Sequence, residues 1–354
     1  MLTSSLEDGI GMSVTYRALM LSSVCDVWVG VLFLTRDRNK RRLEQAEVSV
    51  VDLQGRHGVD PLSIARALKW ARTLGADVVQ AEQASVYPHA WMIARRLGSV
   101  LLVWLNTPIS PFEGPHWRIR WASRFLFPRA DHIVCNSEYT RTRLLKYYPS
   151  LVNRASVLYH PLAAQFFVPP RTRPSCRVGV VATMLAVKKL ERLLKAWPEV
   201  AQYSRDATLD VYGDGPERPR WESLAAELGL ERVRFHGFAT DVAHALSQIG
   251  IFVLPTEGEA FGQVFVEAML MERPCIGVRS GGVSEIVVDG ETGVLIPPGD
   301  DPEPLAQAIM RLIDAPDQAE AMGKAGRERA LAHFTTIGAR SKYSSLYRQL
   351  LEGS

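Results

Sequence analysis

The chain has 354 residues, which exceeds the usual size of one hydrophobic core and predicts about two domains. Its 47% hydrophobic and 22% charged residues exclude the composition of a disordered chain. The longest apolar stretches, 27–35 and 97–105, are about half of the ~20 residues that cross a bilayer and are typical of buried parallel strands. The four cysteines form no C-x-x-C pair, which argues against a zinc site and a disulfide framework.

Charge is distributed unevenly along the chain. Residues 1–165 contain 20 Lys and Arg against 13 Asp and Glu, and residues 166–354 contain 21 against 25. The basic first half favours an anionic partner such as a lipid headgroup, although a solvated basic face without a partner explains the same counts. The N-terminus lacks the pattern of a secretory signal, so we expect a cytoplasmic protein, with the inner face of the cell membrane as an alternative location.

Apolar strand-like segments alternate with amphipathic helical segments along the whole chain. This alternation predicts an α/β fold of two Rossmann-like, doubly wound domains. The predicted strands of the first half are 28–34, 49–53, 78–80, 100–105, 132–135 and 156–159. Those of the second half are 177–182, 208–212, 233–236, 251–254, 275–278 and 293–296. Between the halves, three prolines within 166–174 predict a linker.

Two glycine motifs are candidates for a ligand-binding edge. Gly9 and Gly11 lie between a short apolar start and a helical stretch from Val14, where a backbone without Cβ atoms lets an anion approach. Gly213 begins a Gly-Asp-Gly-Pro loop between a predicted strand and a helix. A tight turn and ordinary helix capping need the same residues, so both interpretations stay open at these positions.

The strongest local pattern is the segment 255–269. A predicted strand ends at Leu254 and delivers Glu259 to a loop, and Gly262 opens a helix that carries Glu267. The N–H groups of such a helix start can hold a phosphate, and two carboxylates can accept hydrogen bonds from sugar and ribose hydroxyls. Glu267 within an apolar stretch is costly without a partner. The segment is therefore a candidate nucleotide-sugar site, and an interaction of Glu259 with the helix dipole alone is the alternative.

The order and spacing of these motifs resemble the retaining glycosyltransferases called family four, or group 1 glycosyltransferases. Glu259 and Glu267 form the family's E-x7-E motif, and the turn at Gly281-Gly282 follows downstream. The resemblance implies the GT-B fold, in which two Rossmann-like domains face a cleft and a C-terminal helix crosses back to the first domain. The domains it implies are 1–168 for the acceptor, 175–335 for the nucleotide sugar and 336–354 for the terminal helix.

The resemblance also implies roles for single residues. Glu267 would bind the ribose, Glu259 the donor sugar, and Lys188 the phosphate whose charge develops as the nucleotide leaves. The backbone that would line the sugar and diphosphate belongs to Phe261, Gly262, Gln263 and Val264. The chain departs from the family at two positions, with Thr183 where many relatives carry arginine and Asn106, a candidate catalytic residue, where many carry a sugar-contacting histidine.

The expected function is transfer of a sugar, with retention, from a nucleotide sugar to a lipid-linked or glycan acceptor in cell-surface polysaccharide biosynthesis. No metal or other cofactor is expected, because Lys188 and the helix start at Gly262 supply positive potential for the diphosphate. A nucleotide-sugar epimerase on the same scaffold is one alternative. A non-catalytic partner subunit is the other, suggested by Thr183 and Asn106. Nucleic acid is not an expected partner.

The segment 115–129 combines aromatic residues with four arginines. Aromatic rings at the headgroup boundary, with arginine side chains directed toward anionic lipid, are typical of peripheral membrane attachment. A helix that packs on the core and has a basic outer face fits the same residues.

If 115–129 binds anionic headgroups, binding to vesicles should increase with anionic lipid and decrease with salt. Exchanging Arg118, Arg120 and Arg124 for glutamine should weaken binding by about 1 kcal/mol per arginine while nucleotide binding persists. Co-sedimentation with vesicles measures this, and a triple variant that sediments like the wild type would contradict it.

Overall fold

The computed structural model describes residues 1–6, 9–33, 38–55, 60–107, 124, 127–169 and 176–352. Apart from Arg124 and 127–129, the predicted membrane segment lies outside this range. The chain forms two compact units. The first contains Met1–Leu162 and Thr335–Ser354, and the second contains Ala163–Phe334.

The first unit has a parallel sheet of seven strands in the order β3-β2-β1-β4-β5-β6-β7. The strands are β1 (Leu2–Thr3), β2 (Trp28–Val31), β3 (Ser49–Asp52), β4 (Val78–Ala81), β5 (Val100–Leu105), β6 (His132–Cys135) and β7 (Ala155–Val157). The helices are α1 (Gly9–Leu21), α2 (Arg38–Gln45), α3 (Pro61–Arg72), α4 (Tyr87–Leu97), α5 (Glu138–Tyr147) and, at the end of the chain, α13 (Thr336–Glu352).

The second unit has a parallel sheet of six strands in the order β10-β9-β8-β11-β12-β13. The strands are β8 (Arg177–Val181), β9 (Thr208–Tyr212), β10 (Val233–Gly237), β11 (Ile251–Leu254), β12 (Cys275–Val278) and β13 (Gly293–Ile296). The helices are α6 (Leu190–Tyr203), α7 (Arg218–Glu227), α8 (Val242–Ser247), α9 (Gln263–Leu270), α10 (Val283–Ile286), α11 (Glu303–Asp314) and α12 (Pro316–His333).

The central strands are buried on both faces. Every residue of β5, β11 and β12 is buried, as expected for parallel strands that are covered by helices on both sides. The prediction of two Rossmann-like, doubly wound domains is therefore confirmed. Within the described residues, no helix combines the length and apolarity that a bilayer crossing requires.

The division between the units comes earlier than the proline-rich segment 166–174. Phe167 is buried, and its carbonyl oxygen accepts a hydrogen bond from Arg327 in the second unit. The chain is thus already packed on the second unit before the prolines. Helix α6 continues without a break through Pro198 to Tyr203.

A fully buried ion pair holds the centre of the first unit. Arg17 of α1 donates from Nη2 to Glu82 Oε2 at 2.9 Å, and neither side chain is exposed. The guanidinium lies 3.6 Å from the ring centre of Trp104, which stacks on Tyr343 of α13. The Tyr347 hydroxyl of the same helix hydrogen bonds to Gln80, whose amide in turn donates to Glu82. The terminal helix is therefore anchored on this buried charge.

Burial raises the pKa of Glu82 above its usual value, and the nearby Arg17 partly offsets that rise. Because Arg17→Met would leave a buried carboxylate without its cation, we expect a loss of about 3–5 kcal/mol in the free energy of unfolding. Urea unfolding followed by circular dichroism measures this. The control is Lys40→Met, which removes the exposed Lys40–Glu44 pair and should cost less than about 1 kcal/mol. Equal losses in both variants would refute the buried-charge argument.

Candidate active site

The candidate site lies at the carboxyl edge of the sheet in the second unit. Strands β8, β11, β12 and β13 are consecutive neighbours in this sheet. Because parallel strands all end at the same edge, the loops that follow them lie side by side there. Three predicted site residues lie in the segments that follow the first two of these strands. Lys188 follows β8, and Glu259 and Glu267 follow β11.

Lys188 and Glu259 form an ion pair between the β8 and β11 loops. Lys188 ends a short 3-10 turn, Ala186–Lys188, and its Nζ lies 2.5 Å from Glu259 Oε2. The Thr256 hydroxyl donates to the Val187 carbonyl at 3.1 Å and so joins the same two loops. The two charged side chains are 18% and 22% exposed, so a ligand can reach both.

Glu267 lies one turn after the first residue of α9 and is buried, with 8% of its surface exposed. The Gln263 amide, one turn earlier, donates to its Oε1 at 2.8 Å. Burial raises the pKa of the Glu267 carboxyl, and the hydrogen bond from Gln263 offsets part of that rise. The folded protein thus keeps a carboxylate in a poorly solvated position, where hydrogen-bond donors from a ligand would stabilise it.

Helix α9 begins where the β11 loop ends. Gly262 precedes the first helical residue and has φ +94°, a left-handed conformation that favours glycine. Phe261 is buried, whereas Gln263 and Val264 are half-buried at the first turn. The first N–H groups of a helix have no partner within it, and their positive potential suits an anion.

A glycine pair after β12 makes the Glu259 loop compact. A Cβ atom on Gly281 would lie 2.5 Å from the Glu259 carbonyl oxygen, and one on Gly282 would lie 2.5 Å from that of Ala260. The Gly282 N–H donates to the Glu259 carbonyl at 2.8 Å. Any larger residue at these two positions would push the β12 loop away from Glu259.

Gly213 has a packing role at the end of β9. It has φ +140°, and a Cβ atom there would lie 1.8 Å from the Ala182 carbonyl oxygen in the β8 loop. Its N–H donates to the Gly237 carbonyl at 2.7 Å. The glycine thus lets the β9 loop lie directly against the β8 loop, which also carries Lys188.

Family models match residues in both units. The model described as "Glycosyl transferases group 1" matches residues 175–315, and the one described as "Glycosyltransferase Family 4" matches residues 25–165. The chain belongs to the family 4, group 1 glycosyltransferases.

Two relatives illustrate the breadth of this family. The chain is 28% identical to alpha-D-kanosaminyltransferase of Streptomyces kanamyceticus over 75% of this chain and 74% of that protein. It is 26% identical to alpha-maltose-1-phosphate synthase of Mycolicibacterium smegmatis over 97% of this chain and 95% of that protein. The prediction that the chain is a glycosyltransferase is confirmed by these matches.

The fold is also that of a solved structure. The structure of Anabaena HepE in complex with UDP-glucose superposes with a TM-score of 0.84, covering 98% of this chain and 99% of that one, at 20% sequence identity. The prediction of the GT-B fold is confirmed by this likeness.

In the first unit of the glycosyltransferase, Gly9 and Gly11 belong to the first turn of α1 and do not precede a helix that starts at Val14. A Cβ atom on Gly11 would lie 2.3 Å from the Leu6 carbonyl carbon. The space that glycine leaves at this position is therefore filled by the chain's own backbone. This close packing is one reason for a glycine at position 11, and the role of Gly9 and Gly11 toward a ligand stays a prediction.

Asn106 follows β5 and is buried at the carboxyl edge of the first sheet. Its side-chain Nδ2 donates to the Glu82 backbone carbonyl. Its backbone carbonyl accepts a hydrogen bond from the Asn136 side-chain amide at 3.1 Å. Its Oδ1 has no hydrogen-bond partner among the described residues. The Asn106 side chain is thus tied to the loop after β4 and its backbone to the loop after β6, while the Oδ1 acceptor remains available.

Two residues of the site were not singled out from the sequence. Glu257 and Lys189 form a second ion pair at 2.9 Å, directly beside the pair of Glu259 and Lys188. The sequence feature that could have indicated them is the presence of two adjacent lysines in one loop and two glutamates, two positions apart, in another. That signal is weak, because nothing in the sequence says that these two loops are neighbours.

Because Glu267 has a raised pKa, its ionised form destabilises the folded state, and the penalty is complete only above the folded pKa. Glu267→Gln should therefore raise the free energy of unfolding at pH 7 by about 0.5–2 kcal/mol, the usual size of a stabilising substitution. The gain should vanish as the pH falls below the unfolded-state pKa of about 4.3. Chemical unfolding at several pH values measures it. Glu199→Gln, at an exposed position of α6, is the control and should show no such trend.

Proposed function

We propose that this glycosyltransferase transfers a sugar, with retention of configuration, from a nucleoside-diphosphate sugar to a lipid-linked or glycan hydroxyl acceptor. The observation that carries the proposal is the meeting of Lys188 and Glu259 at 2.5 Å, next to the helix that bears Glu267. A cation for phosphate and two carboxylates for hydroxyl groups are what such a donor requires.

Each residue has a distinct chemical task. Lys188 interacts with the diphosphate and offsets the charge that grows on the leaving nucleotide as the glycosidic bond breaks. Glu259 accepts hydrogen bonds from hydroxyls of the transferred sugar, and Glu267 accepts them from the ribose. Without a donor, Lys188 and Glu259 neutralise each other. Donor binding exchanges that contact for a phosphate on one side and hydroxyl groups on the other.

Several observations support the donor and acceptor classes. HepE, which shares the fold, was solved with UDP-glucose, and the two relatives are named for sugar transfer and for synthesis of a sugar phosphate. The basic first half, with 20 Lys and Arg against 13 Asp and Glu, supports an anionic acceptor at the inner face of the cell membrane. Cell-surface polysaccharide synthesis is the corresponding process. We also propose that no metal ion is needed, because Lys188 and the start of α9 supply the positive potential.

A non-catalytic subunit is the second candidate. It is favoured by Thr183 and Asn106, which stand where many relatives carry an arginine and a histidine. Such a subunit would bind a nucleotide sugar without releasing the nucleoside diphosphate.

The first test is thermal unfolding with a panel of UDP-, GDP- and ADP-sugars. A donor at about 100 times its Kd should stabilise the protein by about 2.7 kcal/mol. The sugar nucleotide that gives the largest shift is then used in a turnover assay for the nucleoside diphosphate that is released when the sugar is transferred to water, with and without EDTA. Lys188→Ala should lower kcat by more than it raises the donor KM, because the charge on the leaving group is largest in the transition state.

The control is Lys195→Ala, which removes an exposed lysine of α6 and should leave both constants unchanged. No thermal shift with any sugar nucleotide would sink the proposal. Binding without turnover would favour the non-catalytic subunit. Loss of activity in EDTA that manganese restores would contradict the metal-free mechanism.

A further inference from the structure

Lys189 has an unusual backbone conformation next to a site residue. It lies between the 3-10 turn Ala186–Lys188 and helix α6, with φ +49° and ψ +37°. This left-handed conformation is unfavourable for a residue with a side chain and is normally adopted by glycine. Such conformations persist where the surrounding contacts determine them, and they cluster at functional sites.

The contacts that hold Lys189 come from two other loops. Its Nζ lies 2.9 Å from Glu257 Oε1 and 2.9 Å from Asp300 Oδ1. Glu257 Oε1 also accepts a hydrogen bond from the Gly299 N–H at 2.8 Å. The Gly299 N–H and the Lys189 ammonium hold the pKa of Glu257 below its usual value. One carboxylate therefore joins the β8, β11 and β13 loops.

This second ion pair fixes the backbone on one side of Lys188. On the other side, the Thr256 hydroxyl binds the Val187 carbonyl at 3.1 Å. Lys188 thus lies between two residues that are each tied to the β11 loop. The left-handed turn at Lys189 separates the two adjacent lysine side chains, so that one reaches Glu257 and the other reaches Glu259.

We propose that Lys189 and Glu257 are positioning residues that hold the Lys188 ammonium in place for the donor diphosphate. This inference rests on the proposed function, in which Lys188 binds that diphosphate. Partly exposed ion pairs add little to stability by themselves. The contacts of Lys189 with Glu257 and Asp300 are therefore better explained by the position they give to Lys188. Neither Lys189 nor Glu257 needs to touch the donor.

The test compares the affinities of nucleoside diphosphates and monophosphates by calorimetry, using UDP against UMP, GDP against GMP and ADP against AMP. The ratio of the two affinities isolates the contact with the terminal phosphate. Lys188→Ala should lower this ratio by about tenfold, the size expected for a charged hydrogen bond. Lys189→Met and Glu257→Gln should lower it in the same direction, with monophosphate affinity unchanged. Lys188→Ala combined with Lys189→Met should lower it no further than Lys188→Ala alone.

Two further variants keep the test decisive. Lys189→Gly accepts a positive φ and also lacks the ammonium, so it should give the same loss even if the methionine variant folds poorly. Arg220→Met removes the Arg220–Glu217 pair of the same unit, 3.0 Å long and partly exposed, and should leave the ratio unchanged.

The outcomes separate this inference from the function on which it rests. If Lys188→Ala leaves the ratio unchanged, or the wild type binds none of the six nucleotides, the assigned role of Lys188 is wrong. If Lys188→Ala lowers the ratio but Lys189→Gly and Glu257→Gln do not, the positioning role is wrong. A full additional loss in the double variant would mean that Lys189 acts on the phosphate directly, which also overturns the inference.

Discussion

Lys188 and Glu259 are 71 residues apart in the chain and meet because β8 and β11 are neighbours in the sheet. This adjacency arises where the strand order reverses, since β8 has β9 on one side and β11 on the other. The helices that connect parallel strands pack on the faces of the sheet, and the loops that follow the strands meet at one edge. The ion pair is the chemical result of that topology. The other features of the site are arranged around it.

The loops at this edge approach each other more closely than side chains would allow. Gly213 lets the β9 loop lie against the β8 loop, and Gly281 and Gly282 let the β12 loop lie against Glu259. Close backbone contact leaves little freedom for the charged side chains that these loops carry. In the proposed function, the loops are already arranged before the donor binds, so less conformational freedom has to be lost on binding.

Both units contain a buried carboxylate, but the group that stabilises it differs between them. Arg17 and Glu82 neutralise each other inside the first unit, and the aromatic residues of α13 pack over them. Glu267 in the second unit is buried with a neutral amide as its hydrogen-bond donor, and its pKa is raised. A poorly solvated carboxylate with a raised pKa is a typical feature of a functional site.

Hydrophobic periodicity predicted most of the sheet strands and the two-domain α/β fold, because each strand's apolar run is a local property of the chain. The pattern of Glu259, Gly262 and Glu267 is also local, since all three residues lie on one loop and the helix that follows it, and the sequence alone therefore indicates it. The contacts of Lys189 with Glu257 and Asp300, and the close approach of Gly213 to Ala182, depend on which loops become neighbours. That is decided by the order of strands in the sheet, which brings together residues more than a hundred positions apart and leaves no trace in the local sequence.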